Sequence, residues 1–237
     1  MNDKHAHISS QFDADLRGIS TRVLEMGGLA EAQVSQAIYA LSNFSSETAS
    51  QVLQLEERLN RMEVEIDTDL QQVIAMRQPA AIDLRLLIAV SKAIANLERV
   101  GDEAARIART VQRLVNAGVS SRMRVPVADL AYEADLAIAQ LRRSLDAFAR
   151  LDAEQALAVL KQDDQIDQEF DGLMRKLVTY MMEDPRTISA SIDLVFVAKA
   201  IERVGDHAKN LAEATIYVAK GTDVRHATLS QVEEAVK

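Results

Sequence analysis

The chain has 237 residues, 48% of them hydrophobic, with no cysteine or tryptophan, eight glycines, three prolines and a formal net charge of −9. So little turn chemistry argues against a sheet protein and for long helices, and the missing cysteines exclude disulfide frameworks and thiolate metal sites, which suits a reducing cytosol. The acidic balance is even, residues 1–118 carrying 12 Lys/Arg and 16 Asp/Glu and residues 119–237 carrying 15 and 20, so no basic patch points to nucleic acid.

The polar opening, Met1 to Gln11 with His5 and His7, lacks the apolar run of a signal peptide. No apolar stretch reaches 18 residues, so a soluble, cytoplasmic chain is expected. Helical periodicity then runs nearly end to end. It is interrupted near Phe44-Ser45-Ser46, at Gln78-Pro79 and at Asn116-Ala117-Gly118. In the second half it breaks near Arg150-Leu151-Asp152, at Asp184-Pro185 and at Lys220-Gly221-Thr222. Prolines 79 and 185 suit a first helical turn and Gly118 and Gly221 suit helix ends. The pattern predicts an all-α chain of two tandem three-helix bundles, at residues 8–118 and 122–221, joined by a linker around 119–126. Residues 222–237 follow as a C-terminal tail, left open between a short helix and a frayed end.

The halves are related. Glu-Arg-Val-Gly-Asp stands at 98–102 and again at 202–206. Val52-Leu53, Glu56-Glu57, Leu59 and Asn60 are echoed by Val159-Leu160, Asp163-Asp164, Ile166 and Asp167. Each half therefore reads as one helix–helix–helix unit. The third helix, predicted over Ala80–Ala117 and about 57 Å long at 1.5 Å per residue, sets Leu87, Val90, Ile94, Leu97, Gly101, Ala104, Ala108, Val111 and Val115 at alternating steps of three and four, a coiled-coil-like seam. The sixth repeats it with Leu194, Ala198, Ile201, Gly205, Ala208 and Ala212. Glycine inside a helix costs about 1 kcal/mol of propensity; Gly101 and Gly205 are expected to let a neighbouring helix come close, as are Gly27-Gly28 in the first helix.

Glu98 and Asp102, and likewise Glu202 and Asp206, fall on the flank of the apolar stripe. Like charges four apart on a helix repel by roughly 0.2–0.5 kcal/mol, and a cation is the simplest compensation. Asp163 and Asp167 on the fifth helix, and Glu56 with Asn60 on the second, could converge on the same places. Such oxygen ligands suit Mg, Mn, Ca or Fe, with Zn open through carboxylates. The spacing equally suits a solvated face on which Asp102 pairs with Arg106 and Asp206 with Lys209, so both readings stand. His207 reads as an incidental surface histidine, because Glu103 takes its place in the first half. No phosphate loop, cysteine nucleophile, serine–histidine–acid set or Glu-x-x-His motif occurs, so no catalytic machine is legible.

With its two Glu-Arg-Val-Gly-Asp helices the chain resembles the PhoU family of bacterial phosphate-signalling regulators. Arg77-Gln78-Pro79 followed by Asp83-Leu84-Arg85, the run Met181 to Thr187, and Asp206-His207 match too; the likeness spans about residues 8–225. The resemblance implies a six-helix regulator without enzymatic activity, at the cytoplasmic face and on the membrane only through partners. It implies coupling of a phosphate ABC transporter, through its ATPase, to a phosphate-sensor histidine kinase, holding starvation signalling off when phosphate is plentiful; a homodimer stays open. It also implies a divalent or ferric metal ion (Fe, Zn, Mn or Mg) on Glu/Asp-xxx-Asp motifs, which by position are Glu98 with Asp102, Glu202 with Asp206, and Asp163 with Asp167. Glu56 with Asn60 departs from that pattern, which points to a weaker first-half cluster. A carboxylate-cluster hydrolase or oxidase and a metal-free scaffold are the rival readings.

Overall fold

The computed structural model describes residues 3–79, 81–119, 126–162 and 164–237, with side chains from Phe12 onward. Among them the regular structure is helical: α1 (Asp3–Asn43), α2 (Ser46–Arg77), α3 (Ala81–Asn116), α4 (Val127–Arg150), α5 (Ala153–Gln162), α6 (Asp164–Glu183), a 3-10 turn at Pro185–Thr187, α7 (Ile188–Lys220) and α8 (Leu229–Val236). Helices α1–α3 form the first repeat; α4, the α5/α6 stretch on either side of residue 163, and α7 form the second. Asp163 and residues 120–125 of the expected linker lie outside the described residues.

Local chemistry explains the ends. Ser45 caps α2 by accepting a hydrogen bond from the Thr48 amide at 3.2 Å. Gln78 closes α2 in the left-handed region, and Gly221 does the same for α7 at φ 75°. Pro185 opens the 3-10 turn, not α7 itself, with Asp184 capping the Arg186 amide at 3.0 Å. The 222–237 stretch holds a true helix: Thr228 and Gln231 make a reciprocal capping box, and Val232 and Val236 pack with Ala156, Val159, Ala212 and Ile216 into a small second core.

The predicted seams are the core. Every α3 seam residue except Val115 is buried, as are all those of α7. One continuous apolar cluster joins both repeats. Helices α3 and α7 lie antiparallel across the repeat boundary. Arg113 reaches Asp193 at 2.9 Å at one end and Lys92 lies over the Tyr217 ring near the other. Between them Glu103 meets Arg203 and Asn96 meets His207. This register places the two pentapeptides opposite one another about a local two-fold. On a second seam, a Cβ on Gly27 of α1 would run into the Leu145 side chain of α4, whereas Gly28 faces open space. Close packing explains the first glycine. No helix among the described residues is long and apolar enough to cross a membrane.

Candidate functional site

In the first repeat the three helices meet at Gly101. A Cβ there would collide with the Leu59 side chain and lie 2.9 Å from Glu56 Oε2 and 3.1 Å from Gln33 Oε1. Because the glycine leaves that space, the buried Gln33 amide of α1 donates to Glu56 Oε2 at 2.7 Å and to the Gly101 carbonyl at 3.3 Å. Burial pushes the Glu56 carboxyl above its ordinary range. Asp102 adds to the rise, while hydrogen bonds from Gln33 and Asn60 oppose it. Glu98 is likewise raised, first by burial and then by Asp102 and Glu63, against the pull of Arg99. The structure thus brings Glu56, Glu98 and Asp102 within electrostatic reach, together with Glu63, which the sequence reading did not single out. Asp102 has Arg99 as its ion-pair partner at 3.6 Å, and Arg106 pairs with Glu103 at 3.4 Å, so the expected Asp102–Arg106 pair is replaced by two neighbouring ones.

The second repeat reproduces the backbone device but not the charges. A Cβ on Gly205 would stand 2.8 Å from Ile166 and 3.6 Å from Gln140, the counterparts of Leu59 and Gln33. Glu202 accepts from Lys199 at 2.6 Å through Oε1, while its buried Oε2 has no hydrogen-bond partner. Lys199 also lies over the Phe170 ring. The new member is Glu133 of α4, 1% exposed, with neither carboxylate oxygen hydrogen-bonded. Burial, then the charges of Glu202 and Glu169, push its carboxyl up to about 8. Asp206 and Asp167 are exposed. The Asp163 side chain lies outside the described residues, so its place in the set is not described.

Among the described residues no three carboxylate or imidazole groups are arranged to hold a metal ion. The donor chemistry nevertheless suits a hard cation: carboxylates raised by burial and then by one another's charge, and an orphaned oxygen on Glu202. The local cations here are Arg99 against Glu98 and Asp102, and Lys199 against Glu202. An ion on either set would have to displace them.

Where α3 and α7 face each other, both pentapeptides line an open cleft of about 540 Å³. Arg99 and its repeat-mate Arg203 enter it from opposite sides, with Arg106 and Lys209. Asp102, Glu103 and Asp206 are its acids. His207 is not incidental: its Nδ1 sits 3.0 Å from Asn96 Oδ1 across the repeat boundary. Burial, and then Arg99 and Arg203, hold its pKa below the ordinary histidine value. Glu133 was visible in principle, since it shares the helical stripe of Leu130, Ala134, Ala137 and Leu141, where an acid is out of place.

The PhoU domain model matches twice, at residues 23–111 and 132–215, one match in each repeat. The chain belongs to the PhoU family. It is 44% identical over 231 residues, 98% of its length and 94% of theirs, to a Pseudomonas aeruginosa protein named phosphate-specific transport system accessory protein PhoU homolog. The corresponding PhoU of Escherichia coli K12 is 43% identical over 220 residues, 93% of this chain and 90% of that one. The crystal structure of PhoU from Pseudomonas aeruginosa superposes with a TM-score of 0.84 at 42% identity, covering 89% of this chain and all of that one. The phosphate transport system regulatory protein PhoU from Streptococcus pneumoniae gives 0.82 at 26%, covering 90% and 99%.

Proposed function

We propose that this PhoU-family chain regulates phosphate transport, acting in the cytoplasm by protein contact and without turning over a substrate. The observation that carries the reading is the match of both repeats, over nearly the full chain, to proteins named phosphate-specific transport system accessory proteins. The residues fit that reading. The fold offers long helical faces, and of the pentapeptide acids Glu98 and Asp102 pair with Arg99 and Glu202 with Lys199. In the finer form of the proposal, the chain engages the ATPase of a phosphate ABC transporter and a phosphate-sensor histidine kinase, and holds starvation signalling off when phosphate is abundant. A divalent or ferric ion on Glu98/Asp102 with Glu56, and another on Glu202/Asp206 with Asp163 and Asp167, would clamp neighbouring helices and stiffen the partner-binding face.

Two measurements test this. Deleting the gene should leave phosphate-responsive genes expressed in high phosphate, and tagged protein should retain transporter ATPase and kinase from membranes in a phosphate-dependent manner. Normal repression in the deletion strain, or no association at any phosphate level, defeats the reading. Elemental analysis of protein purified without chelator tests the metal, and no bound metal defeats that part alone.

A further inference from the structure

Packing and the candidate metal sites account for four residues of the pentapeptide: valine is core, glycine makes room for a neighbouring helix, and the two acids are the candidate ligands. The arginine is only partly accounted for: Arg99 pairs with Glu98 and Asp102 and Arg203 with Glu103, which uses some of the five donors on each guanidinium. Arg99 and Arg203 are its two copies, and the two-fold brings both to the cleft between α3 and α7. We propose that this inter-repeat cleft binds a tetrahedral oxyanion, either free phosphate or the phosphoryl group of a small ester.

Three observations carry the assignment. First, the cleft is lined by four cationic and three anionic side chains, a local excess of positive charge in a chain of net charge −9. Second, the excess has an identifiable source. Perfect repetition would place a carboxylate at 207 to match Glu103, but the chain has His207 there. Glu103, 4% exposed, accepts a hydrogen bond from Arg203 at 3.1 Å through Oε1, while its Oε2 lies 3.4 Å from Arg106 as an ion pair without a hydrogen bond. One carboxylate cannot engage both forks bidentately, so N–H donors of the pair remain to be used by something else. Third, the donors are held in place from beneath. Glu103 is buried on α3, and Asn96 Oδ1 ties down both His207 Nδ1 and Asn210 Nδ2 at 3.0 Å. Guanidiniums on two antiparallel helices, fixed by a buried acid and opening to solvent, form the forked donor arrangement that oxyanions select. The space, about 540 Å³, admits a phosphate ester as well as the free ion.

Isothermal titration of the full chain, in chelator so that no metal contributes and at constant ionic strength, should show saturable binding of inorganic phosphate or of glycerol phosphate. Comparison of the two assigns the source. Arg106→Gln, an exposed position whose change leaves Arg203 on Glu103, should weaken binding about tenfold. Arg203→Lys, which keeps the charge but not the fork, should weaken it by several-fold with unchanged helicity. No binding of either ligand, an equal response to sodium chloride, or affinity unchanged in a folded Arg106→Gln variant overturns the proposal. This outcome is independent of whether the deletion strain loses phosphate repression.

Discussion

The two repeats use one backbone device and fill it with different charges. In the first, a glycine, a buried glutamine and a leucine wedge surround Glu56, which the Gln33 amide holds at 2.7 Å. In the second, Gly205, Gln140 and Ile166 occupy the same stations, but the described buried acid is Glu133 on α4, where the first repeat carries the fully buried Met26. Duplication kept what packing requires, since a side chain on either glycine would strike the facing helix. The electrostatics diverged: the second repeat buries Glu133 without a hydrogen-bond partner, whereas the first holds Glu56 with Gln33. The lesson is that the acids, unlike the seam, must be judged repeat by repeat.

The largest test of this difference is Glu133→Gln. The Glu133 carboxyl rises from an ordinary 4.5 to about 8 in the folded protein. Below pH 4.5 both states hold the proton and the group is neutral to stability. Between 4.5 and 8 the unfolded chain releases the proton while the folded chain keeps it, so stability falls as pH rises. Above 8 the deficit levels off at about 5 kcal/mol, at 1.36 kcal/mol per pH unit. Glutamine mimics the protonated form. The variant should match the parent near pH 4, exceed it by about 3 kcal/mol at pH 7, and gain most near pH 9. Urea melts at the three pH values measure this, and a pH-independent difference would mean that Glu133 is ionised or hydrated in the fold. Glutamine at Met26 should show no such pH dependence.

The glycines give the next contrast. Alanine at Gly101 gains about 1 kcal/mol of helix propensity but forces its methyl against Leu59, Glu56 and Gln33 at once. Overpacking of that kind costs about 1–3 kcal/mol, so Gly101→Ala should be destabilising by up to about 2 kcal/mol net. At Gly205 only Ile166 stands closer than 3.0 Å, and it meets the methyl with the far end of a flexible side chain. Gly205→Ala should be near neutral. Thermal melts of both variants, with equal losses, would show that the two clefts are equally tight.

Much of the architecture was legible because seams are periodic. The alternating steps of three and four in α3 and α7 predicted seam residues that are all buried except Val115, and left-handed Gly118 and Gly221 fall at helix ends as expected. The site was legible only in part. Glu98 and Glu202 are half-buried flank residues as their wheel positions implied, yet Asp206 is exposed although it repeats Asp102. Helix phase alone does not say which neighbour covers a flank. Nor did spacing disclose that Arg99, at i−3, would be the partner of Asp102, or that His207 would bond to Asn96, 111 positions away. Those contacts depend on the antiparallel register of α3 and α7, and that register is a property of packing between the repeats.

The smallest effect distinguishes the two acid pairs by sign. In the first repeat Glu98 feels Asp102, Glu63 and Glu56, with Arg99 at 3.6 Å as its cation. Glu98→Gln with Asp102→Asn should therefore stabilise chelator-treated protein by about 0.2–0.5 kcal/mol. In the second repeat Glu202, its side chain 14% exposed, already has Lys199 at 2.6 Å. Glu202→Gln with Asp206→Asn removes that pair along with the repulsion, and should be neutral or destabilising by about 0.5 kcal/mol. Added salt should shrink the first effect more than the second, because the Glu202–Lys199 contact is better shielded from solvent. If an ion occupies these sites, metal-loaded protein should lose stability in both variants and the sign difference should vanish. Matched melts in chelator and in metal therefore separate paired carboxylates from ligands. Equal stabilisation of both repeats in chelator would mean that Lys199 does not hold Glu202 in solution.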